Sequence, residues 1–366
     1  MSFESGSMSF RMLYVPRPLP RDAIQKFAEK AAPPLKTLVD GELNGWVTGR
    51  HLLDRNITED SAKYGGFLRL TLMQAMRKVP ESLLRAECKM EELAQLQATG
   101  EERLSAAARS EIRRSITERL LPTMPPTLKG IPFIHFPGSE LMYTGALSDK
   151  QLDAFQIMIT QTVGYGMIPV LPETASLKRS EANVRDWGPV SFSPELQDGE
   201  SDCMPGREFL TWLWFVAEAR GGMVKVDGAG DLAIMIEGPL LFVMEGAGAH
   251  EAALRKGEPL LASEAKTALL SGKKLKKAKI TLARGDESFS FGFDADLFAF
   301  RSLKLPEGEK LDPVSRFQTR MQQLDFFTRA FLGLFDRFVK ERRSDKAWKE
   351  TSAELHKWVS GRKVRR

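Results

Sequence analysis

Histidine and cysteine are scarce in this chain, four and two in 366 residues. His51, His135, His250 and His356 stand far apart, and none is close in sequence to Cys88 or Cys203. That spacing supplies neither a zinc ligand set nor a thiol-protease pair, and two distant thiols make no disulfide framework. Long apolar runs are missing too, since none reaches the roughly 18 residues a membrane span needs. The opening MSFESGSMSF lacks the basic region and apolar run of a signal peptide, so the expected compartment is the cytoplasm. No GK[ST] triplet occurs, and GAGDLAIMIEG fits neither a Walker A loop nor a dinucleotide fingerprint, which argues against nucleotide hydrolysis. No cofactor is expected.

Apolar residues are plentiful. They make up 42% of the chain and include 22 phenylalanines, enough for a substantial core divided over two or three domains. The net charge of +5 is unevenly spread: Lys340–Arg366 alone holds ten basic and four acidic residues. Charge gathered in one region favours a binding surface over general solubility.

Along the chain, a strand at Ser9–Val15 is followed by strand candidates around Gly45-Trp46-Val47, Tyr64–Met73 and Ile131–Tyr143. Ser148 caps a helix in which Leu152, Phe155 and Ile159 share a face. Residues 81–121 differ in kind: rich in Ala, Leu, Glu and Arg, with a break at Thr99-Gly100 and a stop at Pro122, Pro125 and Pro126. The ordinary expectation for that section is an amphipathic hairpin packed on a sheet; the alternative is an arm reaching a partner subunit or DNA. Residues 175–200 read as a connection. Beyond them come a helix at Arg207–Ala219, strands near Leu232–Ile236 and Leu240–Glu245, a short helix at Ser263–Leu270, and strands at Leu275–Ala283, Ser288–Phe293 and Leu297–Leu303. The last long helix, Pro313–Val339, aligns Phe317, Met321, Leu324, Phe327, Phe331, Phe335 and Phe338 on one stripe that either docks internally or forms a dimer contact. The expected class is α+β, with antiparallel or mixed sheets and long helical segments. Its three parts are 1–175, 176–310 and 311–366, the last ending in a short helix and a loose basic terminus.

Between Ala265 and Gly285 there are seven cations and no acid: Lys266, Lys273, Lys274, Lys276, Lys277, Lys279 and Arg284. Ala278, Ile280 and Leu282 alternate with Lys277, Lys279 and Thr281, so a strand here turns lysines outward on one face. Such lysines either protect a sheet edge or present fixed charge to a polyanion. Phe289, Phe291 and Phe293 alternate with small residues, as core strands do, in preference to stacking on bases. Asp294 and Asp296 are the one pair of carboxylates placed to suggest a magnesium-dependent nuclease, although two aspartates between apolar strands more often make a turn. An anionic-membrane or acidic-protein binding module is the third alternative.

With these elements in order, the chain resembles the bacterial recombination-associated protein RdgC family. The resemblance rests on the first strand, Gly45-Trp46-Val47, KVPESLLRAE (Lys78–Glu87) and the charged helices through Leu120-Leu121-Pro122. It continues in IPVLP (Ile168–Pro172), the Gly272-Lys273 start of the basic strand with Lys277, FRSLKL (Phe300–Leu305) and the final helix. It implies a ring-shaped homodimer that binds double-stranded DNA without sequence preference, is associated with the nucleoid and antagonises RecA. It further implies that Lys273 and Lys277 face the duplex, joined in this chain by Lys274, Lys276, Lys279 and Arg284 as phosphate contacts. The paired helices after Lys78 and the phenylalanine helix become candidates for dimer closure, since a two-fold ring needs two contacts.

Overall fold

A computed structural model describes residues 3–38, 41–197, 203–244, 250–308 and 311–362. The chain begins with β1 (Met8–Tyr14), α1 (Ala23–Glu29), β2 (Glu42–Thr48), α2 (Glu59–Ala62), β3 (Lys63–Tyr64) and β4 (Phe67–Met76). Two charged helices follow, α3 (Glu81–Thr99) and α4 (Ala106–Leu120), and then β5 (Thr127–His135), β6 (Leu141–Thr144), α5 (Asp149–Val163), β7 (Ile168–Pro169) and α6 (Pro172–Ser180). The second half holds α7 (Pro205–Ala219), β8 (Met223–Val226), β9 (Gly230–Val243), β10 (Glu251–Leu254), α8 (Ser263–Leu270), β11 (Lys274–Arg284), β12 (Glu287–Asp294) and β13 (Ala299–Lys304). Helices α9 (Pro313–Arg343) and α10 (Asp345–Gly361) close it.

The mixed α and β content expected from the sequence takes the form of one large sheet, ordered β10-β9-β11-β12-β13-β1-β6-β5-β4-β2 and antiparallel throughout its ladders. The first strand of the chain therefore joins the two halves, pairing β13 on one side and β6 on the other. Both faces of β1 are covered. Met8, Phe10, Met12 and Tyr14 belong to the large core under α9, while Leu13 faces the opposite way into a second core beneath α1 and α5.

Local chemistry sets the helix ends. Ser148 and Gln151 form a reciprocal capping box at the start of α5, and Asp312 accepts hydrogen bonds from the amides of Val314 and Ser315 at the start of α9. Every residue of the α9 apolar stripe is buried, and its rings meet those of β12: Phe291 with Phe327 and Phe293 with Phe331, each at 4.9 Å. The stripe is thus spent inside the chain, which removes it as a subunit contact, and the β12 phenylalanines are core rather than a platform for bases. Helix α7 is buried around its whole circumference from Pro205 to Val216, sandwiched between the sheet and α9 and α10.

Three local expectations need correction. Residues 175–200 contain the end of a real helix, because Pro172 occupies the first turn of α6, where its missing N–H does no harm. The two strands expected around Gly238-Pro239 are one, β9, in which the register against β11 shifts at that dipeptide without ending the strand. The charged hairpin does not lie on the sheet. Helices α3 and α4 pack on each other around their own small core of Leu84, Cys88, Ile112 and Ile116, forming an arm that leaves and re-enters the sheet between β4 and β5. Gly100, at φ +71°, ends α3 in the left-handed conformation, and Ser105 caps α4.

Candidate nucleic-acid interface

Strand β11 is not an edge strand. It pairs with β9 on one side and β12 on the other, so its lysines have no edge to protect. Ala278, Ile280 and Leu282 enter the core, and Lys277, Lys279 and Thr281 face the other way, as the alternation predicts. Helices cover this second face beside β1, β6 and β5, but over β9, β11, β12 and β13 most of its side chains are exposed or half-buried, with Asp294 and Ala299 buried at one end.

The ladder register arranges that open face in transverse rows, because directly opposite residues share a side of the sheet. One row runs Glu237, Lys279, Gly292, Arg301; the next runs Met235, Thr281, Ser290, Lys304. Lys279 and Arg301 stand two strands apart, a separation of about 10 Å. Four cations, Lys277, Lys279, Arg301 and Lys304, are thus set among hydroxyls and a glycine, with Met235 as the exposed large apolar side chain. Arg301 and Lys304 were not among the sequence-predicted contacts. Their signal is masked in the strand text because Ser302, at φ +52°, interrupts the alternation of β13.

The six predicted residues separate into groups. Lys277 Nζ lies 2.8 Å from the buried carboxylate of Asp294, its cross-strand neighbour, and Lys279 Nζ lies 2.7 Å from Glu237. Lys273 is half-buried just before β11 and forms no ion pair among the described residues. Lys276 sits at an irregularity in the β11–β9 pairing and donates to Asp296 at 2.9 Å. Lys274 is a correction: ahead of that irregularity its ammonium is buried and donates to Glu208 Oε1 at 3.2 Å, so it has no surface to offer a phosphate. Arg284 shares the parity of the core residues. It lies on the helix side at the β11–β12 turn, paired with Glu287 and stacked over Phe326 at 3.9 Å, away from the lysine face. Lys266, earlier in the run, donates to the carbonyls of Ser360 and Arg362 and so caps the C-terminal end of α10.

The two aspartates do not converge on a metal. Asp296 accepts a fork from Arg207, at 2.8 and 2.7 Å, as well as the bond from Lys276, while Asp294 lies beneath Lys277. No cluster of three or more His, Cys, Asp or Glu side chains able to hold a metal occurs among the described residues. Gly206 permits the fork, since a Cβ there would come within 2.0 Å of the Ala295 carbonyl oxygen. Burial alone would push the Asp296 carboxyl up, but hydrogen bonds and charge from Arg207 and Lys276 together hold it below the ordinary aspartate range. A lowered native pKa contributes stability that is complete above the unfolded value of about 4 and is lost as pH falls through the native one. Replacing Asp296 by Asn should therefore flatten the fall in stability between about pH 5 and 2, measured by urea titration.

The basic C-terminal segment is also more ordered than its text suggests. Helix α10 buries Trp348, Leu355 and Val359, and the Arg362 guanidinium lies over the rings of Trp214 at 4.1 Å and Trp358 at 4.9 Å while donating to Glu218. Residues 363–366, the rest of the expected basic terminus, lie outside the described residues. No helix among the described residues is long and apolar enough to cross a membrane. No known family model matches the chain, and no curated protein matches it.

Proposed function

We propose that this protein is a nonenzymatic, homodimeric binder of double-stranded DNA, without sequence preference, that modulates recombination or replication by occupying the duplex. The observation that carries the reading is the open face of β9, β11, β12 and β13, where Lys277, Lys279, Arg301 and Lys304 are held at fixed spacing on a rigid sheet. Ammonium and guanidinium groups on a flat surface neutralise phosphates and release counterions, and they carry no base readout by themselves. The Lys279–Glu237 pair is half-exposed on both sides, and such pairs contribute only about 0–1 kcal/mol, so a dense phosphate array competes with it readily. Association with the nucleoid and antagonism of RecA, both implied by the family resemblance, follow from the same occupancy. Fluorescence anisotropy with two blunt duplexes of unrelated sequence tests it. Equal, salt-dependent affinities with the duplex left intact in magnesium are expected; an absence of binding at about 50 mM salt would sink the reading.

Dimerisation is assigned to the arm. Leu83, Met90 and Leu93 are 36%, 66% and 48% exposed on a second stripe of α3, turned away from α4 and spaced at three and seven residues. A second copy of the arm covers that stripe in an isologous contact. The Met90→Glu/Leu93→Glu variant should fall to monomer mass in sedimentation velocity while keeping its circular dichroism. An unchanged dimer would move the contact elsewhere.

A further inference from the structure

At the end of β13 a cleft of about 510 Å³ opens between the N-terminal loop, residues 305–308 with Leu311, and α9 itself. Among the described residues three cations line it: Lys304 from the strand, and Arg316 and Arg320 from successive turns of α9. Residues four apart on a helix share a face, so the two guanidinium groups are neighbours. Arg320 is anchored, donating to the carbonyls of Phe3 at 3.3 Å and Gly6 at 2.7 Å. Its pKa is lowered by burial and then by the positive charge of Arg316. Among the described residues two carboxylates also line the cleft, but Glu4 is committed to Arg69 and Glu307 is exposed on the loop. Among the described residues neither Arg316 nor Lys304 has an acidic partner.

We infer that this cleft is a binding site for a terminal phosphate group. Like charges that have no acidic partner among the described residues and are held together by the fold attract a compact polyvalent anion, and an arginine fork matches phosphate oxygens two at a time. Ser5, Ser7 and Thr319 supply hydroxyls around the same space, and Leu305 with Pro306 forms an apolar wall. The cleft volume lies within the range of small-ligand sites. A terminal phosphate is found on inorganic pyrophosphate, on a nucleoside diphosphate and, as a monoester, on the 5′ end of DNA. The site is separate from the open sheet face except for Lys304, which stands at the border of both.

Titration calorimetry of the full chain with inorganic pyrophosphate, in the absence of DNA, tests the inference. Saturable 1:1 binding is expected. Arg316→Ala, at an exposed position, should weaken it about tenfold or more, with an unchanged melting temperature. Arg316→Lys should recover part of the loss, and Lys279→Ala/Arg301→Ala should bind pyrophosphate like wild type. Tighter binding of ADP than of pyrophosphate would identify a nucleotide as the ligand, and tighter binding of a 5′-phosphorylated than of a 5′-hydroxyl duplex would identify a DNA end. Either result upholds the site. Failure of the wild type to take up pyrophosphate, or equal uptake by Arg316→Ala, overturns it whatever the DNA affinity of the protein.

Discussion

Replacing Lys279, Arg301 and Lys304 together by alanine should lower the slope of log affinity against log salt for a DNA duplex by about 2.7, with the fold intact. Each neutralised phosphate accounts for about 0.9 of that slope in duplex DNA, so the loss counts contacts and not merely affinity. The three side chains come from two strands of one face and are exposed, and among the described residues only Lys279 is bonded to a carboxylate, the half-exposed Glu237. Removing them leaves no buried charge behind, and stability should stay within about 1 kcal/mol of wild type. Lys277 is kept in this variant on purpose. It covers the buried Asp294 carboxylate, so its loss would disturb the sheet as well as the surface. The readout is anisotropy over a salt series, beside Arg284→Ala on the opposite side of the sheet as a control expected to bind normally. An unchanged slope in the triple variant would take this face out of the mechanism.

The lysine face was legible in the strand text because period-two alternation separates Ala278, Ile280 and Leu282 from Lys277, Lys279 and Thr281. The phenylalanine stripe of α9 was legible for the same kind of reason, a helical period sustained from Phe317 to Phe338 of a 31-residue helix. Periodicity reports which way a side chain points, but it cannot report what covers it. Lys274 reads like its neighbours, and only the irregular pairing at Lys276, together with Glu208 from a helix 66 residues earlier, draws it inward. The arm illustrates the converse: α3 and α4 are amphipathic enough to pack on a sheet, yet their apolar residues suffice only for each other and for one outer stripe. Arg301 was hidden by the left-handed Ser302, and its place beside Lys279 depends on a strand that enters the sheet after β12.

Glu208→Ala should be the most destabilising of the changes considered, by about 3–5 kcal/mol in urea unfolding. Glu208 is 0% exposed on a helix that is itself buried all round. Its two oxygens accept from Lys274 Nζ and Arg342 Nε, each at 3.2 Å, and the amide of Met204 donates to it at the helix start. One carboxylate therefore ties the basic strand, the central helix and α9 together. Removing it leaves two buried cations facing each other, a penalty that cannot be relieved by solvent as it would be at the surface. The rings of Trp348 and Phe192 lie beside those cations, at 4.8 and 5.9 Å, and offset only part of the loss. Glu208→Gln, which keeps the shape and one acceptor, should fall between wild type and Ala. The same geometry governs how the proposed DNA face must be tested. A variant that strips every lysine of β11 also removes Lys274, leaves Glu208 with one cation fewer, and mixes a loss through unfolding with the loss of phosphate contacts. Restricting substitutions to the outward-facing cations separates the two effects, and a Lys274→Ala protein that unfolds at lower urea yet, while folded, shows the wild-type salt slope would demonstrate the separation directly.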